Sequence, residues 1–400
     1  MTDFLTKRIQ SIAPSPTMAS TAKARQMKQD GLDVLSFTAG EPDFDTPEAI
    51  KSAAIKAIED GQTKYTPVPG TTALKTAILK KLKRDQGLDY APEEVMANQG
   101  GKHSLYNIMQ VLIESGDEVI IPAPYWVSYP AQVILADGKP VVVTTNEANN
   151  FCMTPEQLEE AITPKTKALI LNTPSNPTGS AYTKEQLQAL VDVCLQHDIW
   201  IISDEIYEKI VYDGFEHISP AQLGEAAKAK TLIVNGVSKG YAMTGWRMGF
   251  TAGDKTVIAA MSKLQGQSTS GISSITQAAC VEALGGPQDA IAPMVKAFDE
   301  RRRYVVDAFN AIDGIDCRTP QGAFYVFPNV TSFFGKKTPE GKLIENDADL
   351  CNYLLEKHLV ALVAGEGFGA PGFIRLSYAA SMGSLQNGLD RISKALQILQ

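Results

Sequence analysis

Apolar and polar positions alternate with different periods along this 400-residue chain, and each period predicts an element. After Thr183-Lys184-Glu185-Gln186, which reads as a capping box, Leu187, Leu190, Val191, Cys194 and Leu195 fall at i, i+3, i+4, i+7 and i+8, the spacing of an amphipathic helix. Thr154-Pro155-Glu156-Gln157 and Thr46-Pro47-Glu48 each set a capping threonine ahead of a proline at the first helical position. Between such helices lie apolar runs of strand length at Glu118–Ile121, Ala168–Leu171, Ile199–Ile202 and Thr231–Val234. Runs that are apolar throughout and separated by helices predict parallel strands buried on both faces, hence an α/β sandwich around a mostly parallel sheet. The last hundred residues differ. A charged helix around Glu300–Arg303 leads to strand-like Gly322–Phe327, a surface loop over Lys336–Asn346, a helix near Asp349–Lys357, apolar Leu359–Ala364 and Phe373–Tyr378, and a closing helix. That α+β pattern predicts a second, smaller domain.

Composition narrows the chemistry. With 44% hydrophobic and 20% charged residues the chain can build a sizeable core. The 37 basic and 45 acidic side chains, a net charge of −8, leave no excess of cations for a phosphate backbone, so nucleic acid is not an expected partner. Cys152, Cys194, Cys280, Cys317 and Cys351 form no CxxC pair, and His103, His197, His217 and His358 show no ligand spacing. Neither a disulfide framework nor a metal site is expected. The segment MTDFLTKRIQ lacks the apolar stretch of a secretion signal, and no run approaches the roughly eighteen apolar residues of a membrane span. The expectation is a cytoplasmic protein whose reactive group is neither a thiol nor a metal.

In open α/β sheets ligands bind beyond the carboxyl ends of the strands. Ala168–Leu171 is followed by Asn172-Thr173-Pro174-Ser175-Asn176-Pro177-Thr178-Gly179, Ile199–Ile202 by Ser203-Asp204-Glu205-Ile206-Tyr207, and Thr231–Val234 by Asn235-Gly236-Val237-Ser238-Lys239. Three strands therefore deliver an amide, a carboxylate with a phenol three residues on, and a lysine to one sheet edge. Gln99-Gly100-Gly101-Lys102 opens a helix with Leu105, Ile108, Met109 and Leu112 on one face, and its free N–H groups suit a phosphate. Pyridoxal 5′-phosphate matches this set: its aldehyde needs a lysine, its pyridinium nitrogen an anion, and its phenolic oxygen neutral donors such as Asn or Tyr.

Specific motifs then carry a family resemblance. Gly236-Val237-Ser238-Lys239-Gly240-Tyr241-Ala242-Met243-Thr244-Gly245-Trp246-Arg247-Met248-Gly249 resembles the signature around the Schiff-base lysine of class I pyridoxal-phosphate aminotransferases. Ala39-Gly40-Glu41-Pro42-Asp43-Phe44, Tyr65-Thr66-Pro67, Pro124-Tyr125-Trp126-Val127-Ser128-Tyr129-Pro130, Ser175-Asn176-Pro177-Thr178-Gly179, Ser203-Asp204-Glu205-Ile206-Tyr207 and Ile374-Arg375-Leu376-Ser377 are similar to the family's other motifs, in the family's order, from about residue 14 to 380. Within the family the chain most resembles the bacterial aspartate and aspartate/prephenate aminotransferases. The resemblance implies the fold type I architecture, a large cofactor-binding domain over 47–299, a small domain made of 1–46 and 300–400, and a homodimer with shared active sites.

It also implies roles. Lys239 holds the cofactor and moves the substrate's Cα proton, Asp204 pairs with the pyridinium nitrogen, and Tyr207 and Asn176 hydrogen-bond the phenolic oxygen. Arg247, Gly101 and Lys102, with Tyr65 of the neighbouring subunit, bind the phosphate, and Trp126 stacks on the ring. Arg375, whose planar fork suits a carboxylate, clamps the α-carboxylate with Gly40 as a second contact. Lys102 with Thr17 matches the residues that recognise the distal carboxylate and prephenate. The family's serine three residues before the lysine is Gly236 here, and a lysine common just before the Pro-Ser pair is Ala13, which ranks aspartate above prephenate. Taken singly, Lys239 also reads as a solvated lysine, Asp204 as a helix cap, Tyr207 and Trp126 as core aromatics, Asn176 as a turn residue and Arg375 as an edge-strand charge.

The implied reaction is a ping-pong transfer between L-aspartate and 2-oxoglutarate, with prephenate or aromatic amino acids as alternative partners. Two other classes fit worse. Gly365-Glu366-Gly367-Phe368-Gly369-Ala370 spells a dinucleotide fingerprint, but Pro371 and Gly372 stand where its helix should begin. A regulator built on the same fold needs a DNA-binding domain ahead of it, which motifs starting near residue 14 leave no room to expect.

Overall fold

The apolar runs are strands in the structure, a computed structural model that describes residues 4–13 and 16–400, with Pro16 and Thr17 as backbone only. Strands are numbered from Leu35–Ser36 (β1). Val95–Asn98 (β2), Glu118–Ala123 (β3), Lys139–Thr144 (β4), Thr166–Asn172 (β5), Trp200–Asp204 (β6), Thr231–Gly236 (β7) and Gly249–Ala252 (β8) build the large sheet. Among the described residues its order is β2-β8-β7-β6-β5-β3-β4, parallel throughout except that β8 runs against both neighbours. The expected α/β class with a mostly parallel sheet is what forms. The central strands are apolar without alternation because helices cover both faces: Ile170, Ile202 and Val234 pack under the helices Gly101–Leu112 and Lys255–Ser268, while Leu169, Leu171 and Ile201 pack under Lys184–Gln196.

Both threonine–glutamine capping boxes form. Thr154 and Thr183 each accept from the backbone N–H three residues on, and Gln157 and Gln186 return the bond. Thr46 differs from expectation. Its hydroxyl donates to the Ala242 carbonyl at 2.8 Å, and the helix Glu48–Glu59 starts after an uncapped Pro47. A tertiary acceptor has displaced the local cap.

The second core gathers around Phe298, Phe309, Phe324, Val326, Leu376 and Ile392 and includes Phe37 from far upstream. Tyr325–Val326 (β9) pairs antiparallel with Ile374–Ser377 (β12), which also pairs with Val363–Ala364 (β11). Val360–Ala361 (β10) lies parallel to β1. The single strand read over Leu359–Ala364 is thus two short ones serving different sheets. Gly365–Phe368 is a 3-10 turn rather than the start of a long helix, which removes the dinucleotide reading. No helix of the described residues is long and apolar enough to cross a membrane.

Ile202 is fully buried in the centre of the large sheet. Ile202→Ala is expected to cost about 2–5 kcal/mol in urea unfolding, and a loss below about 1 kcal/mol would contradict this account of the core.

Candidate active site

Five strands of the large sheet point their carboxyl ends at one cavity of about 320 Å³. β2 leads into the helix start at Gly101, β3 into Trp126, β5 into Asn172 and Asn176, β6 into Asp204 and Tyr207, and β7 into Ser238 and Lys239; all of these line the cavity. Gly40, Tyr325 and Arg375 close it from the second core's side, with Lys102, Thr244, Arg247 and Met18 at the rim.

Lys239 is half-buried because it opens onto the cavity, yet protein surrounds its amine, which donates to the Gly40 carbonyl. Burial drives its pKa down to about 8, and Arg247 and Arg375 add to the effect against the carboxylates of Glu41 and Asp204. Asp204 is buried, and burial first raises its pKa to about 6, opposed by the Tyr129 hydroxyl at 2.7 Å and the Ile206 N–H at 3.3 Å. At neutral pH the site therefore keeps an anion on its floor and an amine that is partly neutral.

Three cations face the cavity with no ion pair among the described residues. Arg375, 2% exposed, donates to Asn176 Oδ1 at 2.9 Å and to the Thr38 carbonyl at 2.7 Å, and its Nε has no partner. Arg247 donates to the Thr244 carbonyl at 2.9 Å and stands against Gly100, where a side chain would begin 2.6 Å from the guanidinium. Lys102 holds its ammonium 4.8 Å from the Trp126 ring centre, with its pKa lowered by burial and then by Arg247. Lys81 gives the contrast: as buried as Arg375, it pairs with Glu208 and lies 3.7 Å from Asp85. Its ammonium already occupies the cluster that Glu205, Glu208 and His217 form, so no metal is read there. Unpaired cations around a cavity are anion sites, whereas Lys81 is part of a structural layer.

Of the residues named from sequence, Gly40, Gly101, Lys102, Trp126, Asn176, Asp204, Tyr207, Lys239, Arg247 and Arg375 come together in this cavity. Tyr65 does not. It is fully exposed and lines a separate surface hollow with Thr66 and Gln277. Thr17 lies outside the residues whose side chains are described. Gly236 has a steric reason, since a side chain there would begin 2.8 Å from the Met248 carbonyl. Sequence reasoning missed Tyr129, under Asp204, and Tyr325, whose hydroxyl lies 2.8 Å from that of Tyr207. Tyr129 falls within the segment Pro124–Pro130, so its spacing from Trp126 is a usable signal; Tyr325 has none.

Residues 32–392 match the family model described as aminotransferase class I and II. The chain is 51% identical over 396 residues to the aspartate aminotransferase of Geobacillus stearothermophilus, covering 98% of this chain and 99% of that one. It is 47% identical over 395 residues to the aspartate/prephenate aminotransferase of Nitrosomonas europaea, with the same coverage of each chain. The crystal structure of the aspartate aminotransferase from Rhizobium meliloti superposes with a TM-score of 0.97 at 48% identity, covering 99% of both chains. The Thermus thermophilus aspartate aminotransferase with maleate superposes at 0.92 and 41% identity, covering 98% of this chain and 99% of that one.

A carboxyl whose pKa rises from 3.8 to about 6 on folding binds more protons in the folded than in the unfolded chain between those values. Its contribution to stability accordingly falls as pH rises through that window. Asp204→Asn in the ligand-free protein is expected to melt above the parent at pH 8 and to converge on it toward pH 4. A lower melting temperature for the variant at pH 8 would contradict the assignment.

Proposed function

The chain belongs to the class I and II aminotransferases, and from that premise we propose that it transfers the amino group of L-aspartate to 2-oxoglutarate, yielding oxaloacetate and L-glutamate, with pyridoxal 5′-phosphate held at Lys239. The observation that carries this reading is the single cavity in which the Lys239 amine, the Asp204 carboxylate and unpaired Arg247 and Arg375 face one another.

The residues fit that cofactor. A lysine with a pKa near 8 has a substantial neutral fraction and is a competent nucleophile toward an aldehyde. Asp204, backed by Tyr129, suits a protonated ring nitrogen. The start of the helix Gly101–Leu112 and Arg247, kept close by Gly100, offer N–H groups and charge to a phosphate. Asn176 spends its carbonyl on Arg375 and keeps its amide N–H groups for the phenolic oxygen, beside the hydroxyl of Tyr207, and Trp126 supplies a flat wall. When bound, the cofactor supplies an aldehyde that takes up amino groups and a ring that accepts the electron pair left as the Cα–H bond breaks.

The chain's own residues do the rest. Arg375 receives the α-carboxylate on its guanidinium, whose Nε is otherwise without a partner, and so orients the Cα–H bond. Lys239 Nζ, neutral above about pH 8, takes the Cα proton and returns it one position away. Lys102, beside Trp126, faces the distal carboxylate. Oxaloacetate leaves before 2-oxoglutarate meets the same arginine, which makes the scheme ping-pong. We further propose a homodimer in which the exposed Tyr65 of the partner subunit completes the phosphate site, and a division into a large domain at 47–299 and a small one from 1–46 and 300–400. Prephenate as an alternative acceptor is favoured by the aspartate/prephenate relative at 47% identity.

Borohydride reduction of the cofactor-loaded protein followed by peptide mapping is expected to mark Lys239; a mark elsewhere overturns the assignment. Steady-state kinetics with aspartate, glutamate, tyrosine, alanine and prephenate are expected to favour the dicarboxylates. Arg375→Lys, which keeps the charge but loses the fork, is expected to lower kcat/KM by roughly 10- to 100-fold. Lys102→Ala is expected to lose most of the preference for aspartate over alanine, and a retained preference would remove Lys102 from the distal site.

A further inference from the structure

Tyr325 lines the cavity among Gly40, Tyr207 and Arg375. It is fully buried on β9, directly opposite Ser377 of β12 and so beside the strand that carries Arg375. Its ring centre lies 4.7 Å from the Arg375 guanidinium. Its hydroxyl lies 2.8 Å from the Tyr207 hydroxyl, and the two rings meet edge to face at 5.8 Å. The same hydroxyl sits against Gly40, where a side chain would begin 2.7 Å from it. Glycine at position 40 thus leaves the space that the Tyr325 hydroxyl occupies.

A phenol has one proton to donate. Among the described hydrogen bonds, the hydroxyls of Tyr207 and Tyr325 have only each other. If Tyr207 donates to Tyr325, it has nothing left for a ligand in the cavity; if Tyr325 donates, the Tyr207 proton is free to point there. The Arg375 charge lowers the pKa of both phenols, but it lies over the Tyr325 ring while Asp204 raises that of Tyr207, so Tyr325 is the more acidic donor and the second arrangement is favoured. The other charged groups near the pair are Lys239, 5.9 Å from the Tyr207 ring centre, and Asp204.

Resting on the cofactor assignment above, we propose that Tyr325 is a positioning residue: by donating its hydroxyl proton to Tyr207 it turns the Tyr207 proton into the cavity, toward the phenolic oxygen of bound pyridoxal phosphate. A donor at that oxygen stabilises the form in which the oxygen is most negative and so lowers the pH at which the cofactor's nitrogen link to Lys239 loses its proton.

The test is a pH titration of the visible absorption band of the cofactor-loaded protein, in the parent, Tyr325→Phe, Tyr207→Phe and the double variant. Tyr325→Phe keeps the ring over Arg375 and is expected to raise the midpoint by about half to one pH unit, with kcat lower by up to about tenfold and KM for aspartate within about twofold. Because Tyr325 acts through Tyr207, the double variant is expected to match Tyr207→Phe. An unmoved midpoint in Tyr325→Phe, or shifts that add in the double variant, overturns the proposal. Gly40→Ala supplies a second route, since its new Cβ pushes the Tyr325 hydroxyl off Tyr207 without altering Tyr325. An upward shift there supports the relay, and its absence counts against it even if Tyr325→Phe fails to fold. A parent protein with no band and no mark at Lys239 overturns the cofactor assignment and the proposal with it, whereas a normal parent with unmoved variants overturns the proposal alone.

Discussion

Everything in this active site depends on positive charge that the fold keeps inside without a matching carboxylate. A buried cation is costly unless an anion or a set of hydrogen bonds compensates it. Arg375 is held by neutral acceptors, Asn176 Oδ1 and the Thr38 carbonyl, and Lys239 by the Gly40 carbonyl. Neutral acceptors hold a cation in place without cancelling it, so the attraction is left over for an anionic ligand. The same chain pairs Lys81 with Glu208, and Arg302 with Asp213 and Asp299 at 2.6 Å each, where charge serves packing. The difference between a structural cation and a binding cation is whether the fold supplies the counter-ion.

The segment Asp204–Glu208 shows how the site is braced. Asp204 and Tyr207 face the cavity, while Glu205 turns away and accepts from Ser203, Ser219 and Gln86, and Glu208 accepts from Gln86 and Lys81. Two cavity-facing side chains on one face are anchored by two carboxylates on the other. Those carboxylates tie the turn to the helix Thr72–Gln86, so the Asp204 carboxylate is held from behind as well as by Tyr129.

Much of this was legible in the chain because chemistry follows burial. Asn176, Asp204 and Lys239 each come shortly after an uninterrupted apolar run, and the rule that ligands sit beyond the carboxyl ends of parallel strands brings them together without coordinates. Gly40 and Arg375 were legible only through family motifs, since no local pattern shows that segments more than three hundred residues apart meet. Edge strand β4, which is partly exposed, and reversed strand β8 escaped because neither follows the buried parallel pattern. Tyr325 escaped for a different reason. Its importance lies in the three residues around its hydroxyl and ring, and spacing carries no record of them.

The short pairing of β1 with β10 sets an order of events during synthesis. Leu35 lies against Val360, and Ser377 N–H bonds the Phe37 carbonyl at 2.9 Å, so the first segment made is a partner of nearly the last. The large sheet ends at Ala252 and is complete while the second core is still unmade. On the ribosome the opening residues must therefore wait, apolar Phe37 included, until some three hundred more have emerged. Because Tyr325 and Arg375 arrive with that late segment, the buried cation of the cavity is installed only when nearly the whole chain exists, and a truncated product holds a sheet whose cavity lacks that wall.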